Sequence, residues 1–165
     1  MNVSHAEARM ELALLNSKVY ELNHEDVFVR LTNSGLPPEV LFRLEGLWEA
    51  RKVIGGKVVH TGKIIIFEIL RFINENPHLA TGVAVGAAIG ALFTLIPFLG
   101  PLLAPIAMAI GLVVGGIAGA RIDRGQQIGN GAIGIAQEII ILAEKFFKLF
   151  AEIFLALKAD FMTEV

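Results

Sequence analysis

A few residue groups have the types or spacing to support chemistry. Gly129-Asn130-Gly131-Ala132-Ile133-Gly134 matches the G-x-G-x-x-G pattern of dinucleotide sites. In such sites the glycines turn a strand into a helix that faces the pyrophosphate, so a strand must come first. Residues 121–128 do not read as one. Gly56 to Lys63 approaches a phosphate-binding loop, but the spacing is one residue too long. Ile64 also stands where a magnesium-holding hydroxyl is needed. His5, His24, His60 and His78 have no partner at metal-ligand spacing. With no cysteine, disulfides, thiolate metal sites and cysteine nucleophiles are excluded. No serine–histidine–acid pattern stands out, and the carboxylates fall on helix faces that read as solvated. The expectation is a non-enzyme with no cofactor and no metal.

Composition directs attention elsewhere. Of 165 residues 55% are hydrophobic and only 18% charged, against about a quarter charged in soluble domains. Much of the surface is therefore expected to meet lipid or other subunits. The net charge of −2 gives no steering toward nucleic acid. Residues 1–25 carry scattered charges (Glu7, Arg9, Glu11, Lys18, Glu21) and no signal-peptide pattern. Insertion would rest on an internal segment.

That segment is 79–120, which contains no charged residue. It is about twice the ~20 residues needed to cross a bilayer core. Pro97, Gly100, Pro101 and Pro105 divide it into two expected spans, 79–96 and 102–120, each reaching roughly 27–28 Å as a helix. Gly82, Gly86 and Gly90 recur every fourth residue in the first span, and Gly111, Gly115 and Gly119 in the second. Small residues at this spacing let helix backbones approach closely where lipid supplies no hydrophobic drive. Pairing 82 with 119, 86 with 115 and 90 with 111 places the glycines at matched depths about a bend between Gly100 and Pro101. Each zipper could face the other or a neighbouring subunit. Arg51, Lys52, Lys57, Lys63 and Arg71 precede the first span and Arg121 and Arg124 follow the second, with Arg71, Arg121 and Arg124 expected to mark the membrane boundary and anchor headgroups. By the positive-inside rule both termini are cytoplasmic. A hairpin that re-enters one leaflet, and a soluble form that inserts later, are the alternatives.

The flanks must position this hairpin. Residues 4–22, 25–32, 38–51 and 63–73 read as helices, the first with Ser4 as N-cap. Gly55-Gly56 and Gly62 read as a hinge or as places of close helix approach. The break before the hairpin falls at 74–77, where the residue preceding Pro77 is pushed out of helical conformation. Residues 136–160 read as one amphipathic helix with a stripe of Glu138, Glu144, Lys145, Lys148 and Glu152. Phe146, Phe147, Phe150, Phe154, Leu142, Leu149 and Leu155 form its apolar face. The organisation is thus an N-terminal helical region (1–77), the hairpin (78–121) and a glycine joint with an amphipathic helix (122–165).

The paired glycine runs resemble those of glycine-zipper membrane proteins. Gly82-Val83-Ala84-Val85-Gly86-Ala87-Ala88-Ile89-Gly90 is similar to the pore-lining helix of the large-conductance mechanosensitive channel. That family joins its spans by a long external loop, where this chain has a turn of a few residues. The resemblance implies an all-α, two-span membrane protein that assembles as an oligomeric pore or channel. A membrane anchor that recruits protein partners through its cytoplasmic helices is the second reading. A pore-forming effector with a soluble form is the third. The expected partners are the lipid bilayer and further copies of the chain, with no nucleic acid.

Overall fold

The computed structural model describes residues 3–111 and 130–162, with the backbone alone for 130–137. Ser4 begins α1 (His5–Tyr20) as expected. Its hydroxyl accepts from the Glu7 amide, and the Glu7 carboxylate accepts from the Ser4 amide in return. At α2 (His24–Asn33) the Asn23 side-chain oxygen accepts from the Asp26 amide, and Pro38 opens α3 (Pro38–Trp48). Val40, Leu44, Leu47 and Trp48 form the buried face of α3.

After α3 the chain departs from the all-helical expectation. Lys52–Ile54 (β1) and Lys57–Val59 (β2) pair antiparallel, with Ile54 opposite Lys57. Gly55 (φ 62°) and Gly56 (φ 79°) are therefore the two central residues of a tight hairpin turn and form no hinge. That turn needs positive φ twice in succession, which two glycines supply without steric cost. Asn16 of α1 clamps the ribbon: its amide nitrogen donates to the Val58 carbonyl (3.0 Å), and its oxygen accepts from the His60 amide (2.8 Å).

The ribbon returns the chain so that α4 (Thr61–Glu75) starts beside the end of α3. The Gly62 amide donates to the Ala50 carbonyl at 3.0 Å. A Cβ on Gly62 would overlap the Leu47 carbonyl oxygen and lie 2.7 Å from its carbon. This is the closest helix approach at any glycine among the described residues, and it lies outside the expected zippers.

The apolar pair follows as α5 (Thr81–Leu95), a short 3-10 helix (Pro97–Leu99) and α6 (Gly100–Ile110). The C-terminal region forms α7 (Asn130–Phe146), α8 (Lys148–Ala156) and α9 (Lys158–Met162). The single helix expected over 136–160 is thus broken at Phe147 and Leu157, both wholly buried. The breaks re-aim its apolar face. Phe147, Phe150 and Phe154 are buried, whereas Leu142, Leu149 and Leu155 are exposed.

One buried cluster runs from Ala8 to Leu157 through all three sequence regions. α1 packs on α8, α3 on α6, and α5 on α4, α6, α7 and α8. His5 and Arg9 of α1 reach Asp160 of α9 at 3.0 and 3.7 Å, closing the two ends of the described chain on one another.

Candidate functional site: the apolar helix pair

α5 is held by its surroundings on nearly every side. Ala84 to Ile89, Ala91 and Leu92 are all buried. Of the covering helices, α4, α7 and α8 turn charged residues such as Arg71, Lys145 and Lys148 outward, Glu68 of α4 being buried, whereas α6 carries no charge. Phe72 of α4 meets the Phe146 and Phe147 rings at centroid distances of 5.3 and 5.7 Å. Arg71 lies over the Phe146 ring (5.2 Å) and pairs with Glu68 (2.9 Å) and Glu75 (3.5 Å). The expected boundary charge Arg71 therefore staples α4 to α7. Arg121 and Arg124 lie outside the described residues.

The pair differs from the expected hairpin in bend and register, and residues 112–120 of the expected second span lie outside the described residues. α5 has 15 residues and α6 has 11, roughly 22 and 16 Å at 1.5 Å per residue. No single helix among the described residues is long and apolar enough to cross a membrane; only the two together reach that length and composition. They bend by 120° at the break. The break falls at Ile96–Leu99, a few residues before Gly100–Pro101. Pro97 opens the 3-10 turn as its first residue, while Gly100 and Pro101 already belong to α6. Proline fixes a φ suited to a helix start and lacks the amide that a first turn leaves unpaired, so Pro97 and Pro101 each favour a new start. Gly100 has a helical φ of −48°. Its missing side chain makes room for the Phe93 ring, which a Cβ would meet at 3.3 Å.

Of the zipper glycines, Gly86 and Gly90 meet side chains of larger residues. A Cβ on Gly86 would meet Ile110 Cγ2 at 3.5 Å, and one on Gly90 would meet Ile140 Cδ1 at 3.9 Å. A Cβ on Gly82 would meet nothing within 4 Å. Gly86 thus faces α6 and Gly90 faces α7. The Gly86–Ile110 contact is equidistant from Phe98, which matches the observed bend and replaces the pairing of Gly90 with Gly111. Gly111 itself caps α6 in the left-handed conformation (φ 95°), where glycine is favoured. Gly115 and Gly119 lie outside the described residues. Gly82→Ala and Gly90→Ala are accordingly expected to leave the fold intact and raise stability by about 0.5–1 kcal/mol through helix propensity. A lower denaturant midpoint for either variant would contradict this.

Two titratable groups sit in the casing. Glu68 of α4 is only 4% exposed. Burial pushes its carboxyl pKa up, while Arg71 and, more weakly, Lys18 pull it back. Its folded pKa lies above the unfolded one, so this group favours the folded state as pH falls into the carboxylate range and opposes it as pH rises. Removing the charge with Glu68→Gln is expected to keep or raise stability at neutral pH and to flatten that dependence. A large loss of stability at pH 7, measured by denaturant unfolding, would contradict the assignment. Burial, with Lys63 and Arg51, pushes the His60 pKa down. His60 therefore acts oppositely, weakening the fold as pH falls below the unfolded histidine range. Acid does not loosen the casing at Glu68.

Comparison with family models, with curated proteins and with solved structures finds no match to this chain. No family is assigned. The site has to be read on its own chemistry, and that chemistry is apolar. Among the described residues no group of three or more histidine or acidic side chains could hold a metal. Of the G-x-G-x-x-G glycines, Gly131 and Gly134 lie within α7, and Gly129 lies outside the described residues. Lys63, from the phosphate-loop-like stretch, lies over the Trp48 ring at 5.3 Å. Sequence reasoning missed the ribbon at 52–59. Its signal was a Gly-Gly pair flanked by Val53-Ile54 and Val58-Val59.

Proposed function

We propose that this chain is a membrane-inserting protein. It keeps the apolar pair Thr81–Ile110 inside its own amphipathic helices and delivers it to a bilayer, where it assembles into an oligomeric pore or channel. The reading rests on one observation: α5 is charge-free, apolar apart from Thr81 and Thr94, and buried over Ala84 to Ile89, Ala91 and Leu92, with α4, α7 and α8 exposing charged residues of its cover. A helix apolar all round belongs in a protein core or in a membrane. The uncharged run from 79 to 120 is longer than one core helix requires. The short, bent helices favour a sheltered form that inserts over a constitutive pair of straight spans. In the inserted state the charges flanking the run would leave both termini on the cytoplasmic side.

Thr81 and Thr94 are the only hydroxyls in the pair, and Thr94 donates back to the Gly90 carbonyl at 3.0 Å. A pore lined by this pair is therefore narrow and apolar, and gates by wetting. Adding purified protein to dye-loaded vesicles should release the dye, and oligomers of discrete size should be recoverable in detergent. Stable binding and oligomers without release would replace the pore with the anchor reading. No association with vesicles would remove both.

A further inference from the structure

We propose that the bend and the open face of α6, Pro97 to Met108, form the tip that enters the hydrocarbon of a bilayer first. The inference rests on the membrane-inserting reading and adds the order of events. The two helices of the pair are unequally covered. α5 is buried over Ala84 to Ile89, Ala91 and Leu92 and exposes only Gly82, Val83 and Thr94, whereas α6 turns Pro101, Pro105 and Met108 outward, with Met108 75% exposed. These positions follow helical spacing along one face, which carries no polar side chain. Leu102 and Phe98, both partly buried, extend it around the bend, and exposed Phe42 of α3 borders it across a groove.

An exposed apolar face could suit a protein partner as well as lipid, and the backbone decides between them. Hydrocarbon has no group to satisfy an amide, so a penetrating tip must bring few free N–H groups. Pro97 and Pro101 have none. Ile96, Leu99 and Gly100 donate to the carbonyls of Leu92, Ile96 and Pro97. Five of the six residues 96–101 thus present no free donor, at a place where a chain reversal ordinarily exposes several. The charges beside the face are of both signs and locally paired: Arg43 with Glu39 (2.9 Å), and Arg51 with Glu49 (3.8 Å). Docking is therefore driven by apolar burial and does not require anionic lipid.

The chain has no cysteine, so single cysteines can report on each face. Phe98→Cys and Met108→Cys, and as comparisons Leu149→Cys and Val29→Cys on exposed faces elsewhere, are labelled with an environment-sensitive fluorophore. Each is mixed with phosphatidylcholine vesicles. The labels at 98 and 108 should shift to the blue and be quenched by brominated acyl chains before dye is released, while those at 149 and 29 lag or do not respond. Met108→Glu, at an exposed position, should keep the solution stability of the parent and lose most of the docking, a tenfold or greater fall in vesicle-bound fraction per lipid. Dye release with silent labels at 98 and 108 would overturn the tip and leave the insertion reading standing. So would Met108→Glu docking as well as the parent. Absence of any vesicle response would overturn both.

Discussion

Replacing Gly62 with alanine should destabilise the fold by roughly 3 kcal/mol or more, the largest effect expected of any glycine-to-alanine change among the described residues. The added methyl would occupy the position of the Leu47 carbonyl oxygen. That oxygen cannot move freely, because it ends α3 and accepts from the Ala50 amide at 2.9 Å. Nor can α4 retreat at little cost: the Gly62 amide is bound to the Ala50 carbonyl, and Ile64, Ile65 and Ile66 just beyond are fully or almost fully buried. The contact therefore has backbone on both sides, and backbone yields less readily than a side chain. Gly46 in α3 is the matched control. A Cβ there meets nothing within 4 Å, so Gly46→Ala should stabilise by about 0.5–1 kcal/mol. Equal denaturant midpoints for the two variants would contradict the geometry at Gly62.

The contrast between Gly62 and the zipper glycines marks where the sequence was readable. Four-residue spacing correctly drew attention to Gly82, Gly86 and Gly90 as one helix, and the absence of charge drew attention to its apolar surroundings. Spacing cannot tell what a glycine meets. Gly86 and Gly90 lie against Ile110 and Ile140, residues 24 and 50 positions away, and such distances are fixed by tertiary packing alone. For Gly62 the sequence left a hinge and a close helix approach as alternatives, and with no periodic partner nothing in it pointed to Leu47 as the neighbour.

The same limit applies to the bend and the C-terminal helix. Proline placement located the bend to within a few residues, since it acts locally on φ and on donors. The register followed the true break at Ile96–Leu99, because a 3-10 turn takes up length that a symmetric pairing of glycines does not include. In the C-terminal region the phenylalanines and leucines look alike by type, and their helical spacing suggested a single face. Breaks at Phe147 and Leu157 separate them into buried rings and exposed leucines. Caps such as Ser4 with Glu7 were legible because capping is decided within four residues.

Holding α5 to α7 should abolish vesicle permeabilisation, since α5 must leave its casing to enter lipid. Gly90 and Ile140 form the seam: a Cβ on Gly90 would lie 3.9 and 4.0 Å from Ile140 Cδ1 and Cγ1. A small shift of α7 brings cysteines at these positions within bridging distance. With no native cysteine, the Gly90→Cys/Ile140→Cys variant has one possible bridge within the chain, verified by loss of free thiol together with monomeric migration on a non-reducing gel. A second variant, Gly86→Cys/Ile110→Cys, ties α5 to α6 across their 3.5 Å contact and leaves the pair free to move as a unit. The decisive measurement is dye release from vesicles by the oxidised and reduced forms of both. The account predicts that the oxidised 90–140 bridge reduces release at least tenfold, that reductant restores it, and that the 86–110 bridge has little effect. Release by the oxidised 90–140 variant at the parent's rate would mean that α5 never leaves its casing, and would contradict the proposal at its centre.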